Sequence, residues 1–268
     1  MNKNEVAGLS KVPEVTLVFW VIKIAATTLG ETGGDAVSMS MHLGYLVGTA
    51  IFAVLFALAV SAQLADKRFH PWLYWLTIVA TTTVGTTLAD FADRSLGIGY
   101  AGGSALLLVL LLASLFIWYR ALGTVAVSSV STPRAEMYYW ITIMFSQTLG
   151  TALGDWTADE VGLGLGYGGS ALVFGGALAV VAALYFVPRV ARTGLFWAAF
   201  ILTRPLGAVL GDFLDKPVAK GGLALSRYVA SAVLLAFMAL CIVLFRQRAA
   251  GTAASELAGN PDHQRHPQ

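Results

Sequence analysis

The amino-acid sequence predicts an all-α integral membrane protein of eight transmembrane helices, built as four parallel two-helix repeats with pseudo-symmetry about the membrane normal. Three observations predict it. The 268 residues are 57% hydrophobic and only 12% charged, and their mean hydropathy of +0.73 is foreign to an ordinary soluble domain. Eight apolar segments are long enough to cross a bilayer as helices. Finally, one short pattern ending in aspartate occurs four times along the chain.

That pattern is an apolar residue, a glycine, three residues, a glycine or alanine, and an aspartate. Its four aspartates are Asp35, Asp90, Asp155 and Asp212. A tryptophan stands ten residues before the first glycine of every copy, and a serine or threonine follows the aspartate by 14 or 15 residues. Four tryptophans in one column of an ungapped alignment indicate an internal repeat.

The eight apolar segments give the elements in order. Their ranges are 13–34, 39–64, 71–90, 99–122, 137–155, 164–188, 194–212 and 222–245, close to the 20 or so residues that a spanning helix needs. Paired, they form a transmembrane domain over 13–246 with repeats at 13–66, 67–122, 134–188 and 193–246. Residues 1–12 form a cytoplasmic N-terminal segment, and 247–268 are predicted to be a disordered cytoplasmic tail.

Basic residues predict the topology. They collect in the N-terminal segment, the connections from an even to an odd helix and the C-terminal segment: Lys3, Lys11, Lys67, Arg68, Arg120, Arg134, Arg189, Arg192, Arg246 and Arg248. The positive-inside rule places both termini in the cytoplasm and the four glycine-aspartate turns outside. Because each repeat contains two spans, all four repeats have the same orientation, and their aspartates approach one side of the membrane.

Steps of four residues back from each aspartate follow one face of each odd helix. These faces form a polar stripe: Lys23, Thr27, Glu31, Asp35; Ile78, Thr82, Thr86, Asp90; Ile143, Gln147, Thr151, Asp155; and Phe200, Arg204, Ala208, Asp212. The small residues beside the stripe are four apart, a spacing that lets helices approach closely. We therefore expect the small residues to pack and the stripe to line the space between the helices.

Two cations in this stripe are the strongest sign of function. Lys23 and Arg204 fall near the middle of their spans, where an unpaired charge costs several kcal/mol. We expect each to pair with Glu31 or with an aspartate of a neighbouring repeat. The pairs either hold the bundle together or neutralise the carboxylates while no substrate cation is bound. Arg227 is a third candidate for this charge-switching role.

The remaining groups define the chemistry on offer. Candidate ion-binding residues are Glu31, Asp35, Asp90, Asp155 and Asp212, which could ligate a metal, with Thr86, Gln147 and Thr151 beside them. Such an oxygen-rich site suits Mn²⁺, Mg²⁺ or Ca²⁺ as a substrate. Asp93, Asp159 and Asp215 are expected to be exposed turn residues. No catalytic constellation is present, so we expect neither an enzyme nor a cofactor, and the scattered charge does not favour nucleic acid.

Three functional hypotheses follow. The first is a secondary transporter that exports a divalent metal, with Mn²⁺ favoured, or couples to protons. The second is a non-transporting scaffold or sensory subunit of the membrane. The third is a cation channel with Asp35, Asp90, Asp155 and Asp212 as an outer ring. Two cations deep in the stripe would repel permeating cations and count against the channel. The partners expected are the lipid bilayer and a small cation, and the oligomeric state stays open.

Over most of 13–245 the glycine-aspartate repeats resemble a bacterial family of repeat-containing integral membrane proteins known as membrane-anchored proteins. That resemblance implies the bacterial cytoplasmic membrane and carries over no catalytic residues. The chain is also weakly similar to the glycine-aspartate cation exchangers, whose motif is Glu, any residue, Gly, Asp, a basic residue and Ser or Thr. Here Glu31 precedes Gly34-Asp35 by one residue too many, and Ala36-Val37 replace the last two positions.

Overall fold

Eight α-helices make up the part of the chain that the computed structural model describes, residues 10–251, and no β-strand occurs within that part. The helices are α1 (Leu17–Asp35), α2 (Tyr45–Ala65), α3 (Pro71–Asp90), α4 (Tyr100–Leu122), α5 (Pro133–Ala158), α6 (Gly166–Leu184), α7 (Arg192–Asp215) and α8 (Arg227–Leu244). Each overlaps one predicted segment, so the number and order of helices are confirmed. Short π-helical turns, Ala36–Ser40 and Phe91–Ser95, extend α1 and α3.

Local sequence signals account for several helix ends. The Thr16 and Thr132 hydroxyls accept hydrogen bonds from the backbone of Phe19 and Ala135, which caps the starts of α1 and α5. Pro71 lies in the first turn of α3, where its missing N–H costs nothing. At the end of α4, Gly123 adopts a left-handed conformation with φ of 75°, which a side chain would disfavour. These signals place the boundaries close to their predicted positions.

The four odd-numbered helices form a closed ring. Helix α1 packs against α3, α3 against α5, α5 against α7, and α7 against α1. They run parallel, because aspartates of different repeats share cations at one end of the ring. At the other end, the hydroxyls of Tyr74 and Tyr139 lie 2.6 Å apart. We call these the aspartate end and the aromatic end.

Each even-numbered helix packs outside the ring, chiefly on the odd helix of the following repeat. Helix α2 lies on α3, α4 on α5, α6 on α7, and α8 on α1. The sequence predicted four two-helix repeats, but the two helices of one repeat contact each other far less than each even helix contacts the next repeat. The repeats are therefore interlocked around the ring rather than set side by side as separate hairpins.

The glycines of the repeated pattern form the contacts between odd helices. The first glycine of each copy lies against the residue three positions before the corresponding glycine of the next repeat; the pairs are Gly30–Thr82, Gly85–Gln147, Gly150–Arg204 and Gly207–Thr27. A methyl group added at Gly85 would lie 2.9 Å from the Gln147 carbonyl carbon, closer than Cβ atoms approach. The predicted packing role of these glycines is confirmed.

Aromatic side chains fill the other end of the ring. Phe19, Tyr74, Tyr139 and Phe196 occupy one equivalent position in the four odd helices, and all are buried. Three tryptophans of the repeat, Trp75, Trp140 and Trp197, are buried next to them. These three tryptophans therefore belong to the core.

Both described ends of the chain meet at the aromatic end. Lys11 Nζ lies 2.7 Å from Glu136 Oε1 and donates to the Gln63 carbonyl at 2.9 Å. The backbone N–H of Ala250 donates to the Val12 carbonyl at 2.8 Å, so residues 248–250 lie beside 12–14. The predicted disordered tail thus begins with a short paired stretch. Its remaining part, 252–268, and residues 1–9 lie outside the described residues.

The outside of the ring is apolar. Large exposed side chains such as Leu58, Val109, Leu172 and Val233 cover the even helices. Five helices, α2, α4, α6, α7 and α8, are long and apolar enough to cross a membrane. Helices α1, α3 and α5 fall short of that hydropathy because they contribute much of the buried polar stripe. Polar residues therefore face the inside of the ring, and apolar residues face outward.

Candidate functional site

The polar stripe lines the inside of the ring in four layers. From the aromatic end, the layers are Lys23, Ile78, Ile143 and Phe200; Thr27, Thr82, Gln147 and Arg204; Glu31, Thr86, Thr151 and Ala208; and Asp35, Asp90, Asp155 and Asp212. All sixteen residues are buried. Because four residues of a helix rise about 6 Å, the stripe is roughly 18 Å long. All the predicted candidate site residues of the odd helices therefore lie in one shared interior.

A charged pair joins the second and third layers. Arg204 Nη2 lies 3.1 Å from Glu31 Oε2, and both side chains are buried. The same nitrogen donates to Thr86 Oγ1 at 2.6 Å and to Thr151 Oγ1. Thr86 in turn donates to Glu31 Oε2 at 3.2 Å. One side chain from each odd helix takes part, so this pair ties all four repeats together across the axis.

Lys23 does not form the predicted pair with a carboxylate. Its Nζ lies 4.1 Å from the centroid of the Phe200 ring, and among the described residues it has neither a hydrogen bond nor an ion pair. Phe200 occupies the equivalent position of the fourth repeat, in the same layer. The pairing predicted for Lys23 is wrong because Arg204 reaches Glu31 first, from the neighbouring layer.

At the aspartate end, Arg94 joins the second and third repeats. Its Nε lies 2.9 Å from Asp90 Oδ1, and its Nη2 lies 3.2 Å from Asp155 Oδ2. The guanidinium is about one-third exposed, while both carboxylates are buried. We call Arg94, Asp90 and Asp155 the Arg94 bridge. The planar fork of an arginine suits this arrangement, because separate nitrogens can face separate carboxylates.

Lys216 joins the fourth and first repeats in the corresponding way. Its Nζ contacts Asp35 Oδ2 and lies 3.0 Å from Asp212 Oδ1. Asp215 Oδ1 is 3.9 Å from it, and Arg227 Nε lies 2.6 Å from Asp215 Oδ2 and 3.8 Å from Asp35 Oδ2. We call these five residues the Lys216 bridge. The expectation that Asp215 is an exposed turn residue is wrong: it is buried because Arg227 and Lys216 neutralise it.

The carboxylates determine the protonation state of Lys216, which follows the last residue of α7. Burial alone would lower the pKa of its amine. The carboxylates of Asp212, Asp35 and Asp215 outweigh burial and raise the pKa well above its usual value. Lys216 is therefore a permanent cation at neutral pH, held by its three carboxylates.

Four segments of the chain, 18–69, 73–124, 138–191 and 195–250, match a family described as a Repeat of Unknown Function (DUF347). The protein belongs to the DUF347 family. The four matches coincide with the four copies of the glycine-aspartate pattern. No curated protein and no solved structure matches the chain.

Within the DUF347 repeats, sequence reasoning missed three members of the bridges. Arg94 and Lys216 were not among the candidate residues, and Asp215 was expected to be an exposed turn residue. A signal was present, because Arg94 and Lys216 each stand four residues after a repeated aspartate, the spacing of an ion pair on one helix. Of the predicted charge-switching residues, Arg204 and Arg227 contact carboxylates, and Lys23 does not.

The two bridges of this DUF347 protein together form an acidic centre whose carboxylates are paired with lysine and arginine side chains. Five carboxylates, Asp35, Asp90, Asp155, Asp212 and Asp215, face three cations, Arg94, Lys216 and Arg227, which leaves a formal charge of two negative. Oxygens of Asp35, Asp212 and Asp215 all lie within 4.8 Å of one another. Hard divalent cations take carboxylate oxygens as ligands. These three side chains are the ones that could ligate such an ion if Lys216 moved aside.

Proposed function

We propose that this DUF347 protein is an integral membrane protein whose eight helices span the bilayer, with the ring axis along the membrane normal. The apolar outer surface supports this, since exposed leucines and valines cover the even helices. Five helices meet the length and hydropathy of a span. Helices α1, α3 and α5 carry their polar groups inside the ring, where polar residues of membrane proteins ordinarily face.

The same proposal places the aromatic end in the cytoplasm of a bacterial inner membrane. The basic residues Lys67, Arg68, Arg120, Arg134, Arg189 and Arg192 belong to the connections at that end or flank them. Cytoplasmic loops carry an excess of lysine and arginine. The described ends of the chain, residues 10–14 and 248–250, meet at this end as well.

The function that we propose is secondary transport of a small cation through the ring. One observation carries it: the buried aspartates of all four repeats meet two cations, and each cation bridges two neighbouring repeats. A substrate cation could replace Lys216 among the oxygens of Asp35, Asp212 and Asp215. Lys216 and Arg94 would then return to the aspartates after release, so that the carboxylates are never left unpaired. Intramembrane ionisable groups mark ion pathways in general.

A divalent metal, Mn²⁺ first and Mg²⁺ or Ca²⁺ next, suits the site best. The donors are carboxylate oxygens, and the two bridges together carry a formal charge of two negative. Proton-coupled export is the accompanying hypothesis, because displaced carboxylates can take up protons as the metal leaves. We propose a carrier and assign the protein no catalytic activity.

Two observations favour the alternative of a scaffold or sensory subunit. The aromatic layer of Phe19, Tyr74, Tyr139 and Phe196 closes one end of the ring. In addition, Arg204 and Glu31 join the four odd helices as a structural tie would. The third hypothesis, a cation channel with an outer aspartate ring, is the weakest. Arg94 and Lys216 already occupy that ring, and Arg204 adds a positive charge within the interior.

A flux experiment tests the transport proposal. Proteoliposomes containing the purified chain are given Mn²⁺, Mg²⁺ or Ca²⁺ with a metal-sensitive dye, and a second dye records protons. We expect Mn²⁺ flux, and an Asp212→Asn substitution should lower its rate at least about tenfold, because a ligand and a charge are lost together. Glu160→Gln is the matched control, since Glu160 is exposed at the same end of the molecule.

Two results would decide against the proposal. The first is the absence of flux for every ion from vesicles whose protein remains folded, which would leave the scaffold as the surviving hypothesis. The second is equal flux from the wild type, Asp212→Asn and Glu160→Gln, which would mean that the cation does not pass through the Lys216 bridge.

A further inference from the structure

Lys23 is the one side chain of the polar stripe whose charge has no opposite partner in the described part of the chain. It is fully buried, and its Nζ contacts the face of Phe200. A cation–π contact contributes about 2 kcal/mol when desolvated. An unpaired ammonium in the membrane interior costs more than that. A protonated Lys23 therefore needs a further group to balance its charge.

Arg204 presents unused donors in the adjacent layer. Its Nη2 holds Glu31, Thr86 and Thr151. Its Nε and Nη1 are buried and have no hydrogen-bond partner within residues 10–251. Gln147 lies in the same layer as Arg204, is also fully buried, and its side-chain amide has no partner in that range. Donors from α1, α5 and α7 are thus found in two neighbouring layers.

The charges of these layers do not balance. In its protonated form Lys23 brings the positive charges of these layers to two, counting Arg204, and Glu31 supplies the one carboxylate of the inner three layers. The nearest repeated aspartate on the helix of Lys23 is Asp35, about 18 Å further along the axis. That aspartate is already held by Lys216. Protonation of Lys23 therefore leaves one excess positive charge in the interior, in the same two layers as the unused donors of Arg204 and Gln147.

We propose that Lys23, Arg204 and Gln147 bind one monovalent anion of about the size of chloride inside the ring. The ammonium and the free guanidinium nitrogens would supply the charge, and the Gln147 amide a further N–H donor. The size is limited because Ile78, Ile143 and Phe200 fill the other positions of the Lys23 layer. The excess charge of one selects a monovalent ion. This site lies on the side of Arg204 that faces the aromatic end, and it shares no residue with the two aspartate bridges.

Halide binding to the purified protein in detergent tests the proposal without any ion gradient, so the result does not depend on the proposed transport. The linewidth of the ³⁵Cl resonance is measured against chloride concentration, with gluconate keeping the ionic strength constant. We expect saturable broadening that bromide reverses by competition. Chloride should also raise the thermal unfolding temperature relative to gluconate, because only the folded ring forms the site.

Two substitutions locate the site. Lys23→Met keeps the length of the side chain and removes its charge, and it should weaken chloride binding at least about tenfold. Gln147→Glu places a carboxylate in the site, so it should abolish chloride binding and raise the unfolding temperature in gluconate. That gain identifies charge compensation, which a merely damaged variant would not display. Lys220→Met is the matched control, because Lys220 is an exposed lysine, and it should bind chloride as the wild type does.

Three results would overturn the proposal. A wild-type protein without saturable broadening would mean that Lys23 is a neutral amine over Phe200. Undiminished binding by Lys23→Met would place any halide site elsewhere. An unfolding temperature that Gln147→Glu lowers would mean that the interior carries no excess positive charge. Failure of flux in proteoliposomes leaves all three measurements unaffected.

Discussion

The glycine contacts and the aspartate bridges lie within two turns of each other on the same four helices, yet they follow different symmetries. Every odd helix places its first glycine against the next repeat in the same manner, so the packing is fourfold. The bridging cations, Arg94 and Lys216, occur in the second and fourth repeats alone. The equivalent positions of the first and third repeats hold Met39 and Asp159.

This difference shows which features a duplication preserves. A glycine needs only a neighbouring helix at close approach, and every repeat supplies one. A salt bridge between repeats needs one cation for two carboxylates. Two cations are therefore enough to bridge the four repeated aspartates, and four would be more than are required. Alternate repeats therefore carry the bridging residue. The Lys216 bridge has gone further, because Asp215 and Arg227 extend it and bury it more deeply than the Arg94 bridge.

The largest effect that we expect comes from Lys216→Met. It would leave Asp35, Asp212 and Asp215 buried with Arg227 alone, and breaking a buried ion pair costs about 3–5 kcal/mol. Unfolding by denaturing detergent measures the loss, with Lys220→Met as the exposed control. An equal loss from Arg94→Met would remove the distinction between a deeply buried bridge and a partly exposed one.

The next largest loss of stability should come from substituting alanine for any one of Gly30, Gly85, Gly150 and Gly207. The added methyl group would overlap the neighbouring helix at every site, and such overpacking costs about 1–3 kcal/mol. Fourfold packing requires similar losses from all four variants. Gly176→Ala is the control, because nothing lies within 4 Å of that position. If only one or two of the four variants lost stability, the packing would not be fourfold.

The stability contributions of the two bridges should respond differently to alkaline pH. The carboxylates raise the pKa of Lys216 above its unfolded value, so its stabilisation is complete below about pH 10.4. Above that pH the stabilisation falls by about 1.4 kcal/mol per pH unit, until the folded pKa is passed. The stability difference between the wild type and Lys216→Met should shrink accordingly. The difference for Arg94→Met should stay constant, since a guanidinium keeps its proton. Parallel pH profiles would contradict this.

Arg94→Lys should have the smallest effect, about 1 kcal/mol or less, because Arg94 is partly exposed. A lysine keeps the charge but loses the separate nitrogens that face Asp90 and Asp155. The unfolding midpoint measures the loss, and the double-mutant cycle with Asp155→Asn isolates the contact between repeats. A coupling energy of zero would mean that Arg94 serves Asp90 alone.

The sequence was sufficient to predict the eight helices and the face of each odd helix that lines the interior. A period of four residues back from each aspartate identified the layers, because that spacing keeps side chains on one side of a helix. The polar stripe, the glycine contacts and the burial of Arg204 follow from this spacing and from the apolar residues on the opposite faces of the helices. All of them depend on order within a single helix.

The side-chain contacts that cross the ring could not be predicted from the spacing within one helix. Arg204 reaches Glu31, and Lys23 reaches Phe200, because α7 closes on α1. Closure depends on how the repeats join in space, which no local pattern records. The offset of each even helix onto the next repeat was missed for the same reason. Asp215 was misjudged because its cation, Arg227, begins a different helix.

The contact of α8 with α1 has a consequence for biosynthesis. Helix α1 is made first, but its partners α7 and α8 belong to the last repeat. Until those helices emerge from the ribosome, Thr27 lacks its packing partner Gly207 and Glu31 lacks its cation Arg204. The nascent chain therefore carries an open seam between α1 and α7 until the last repeat is made.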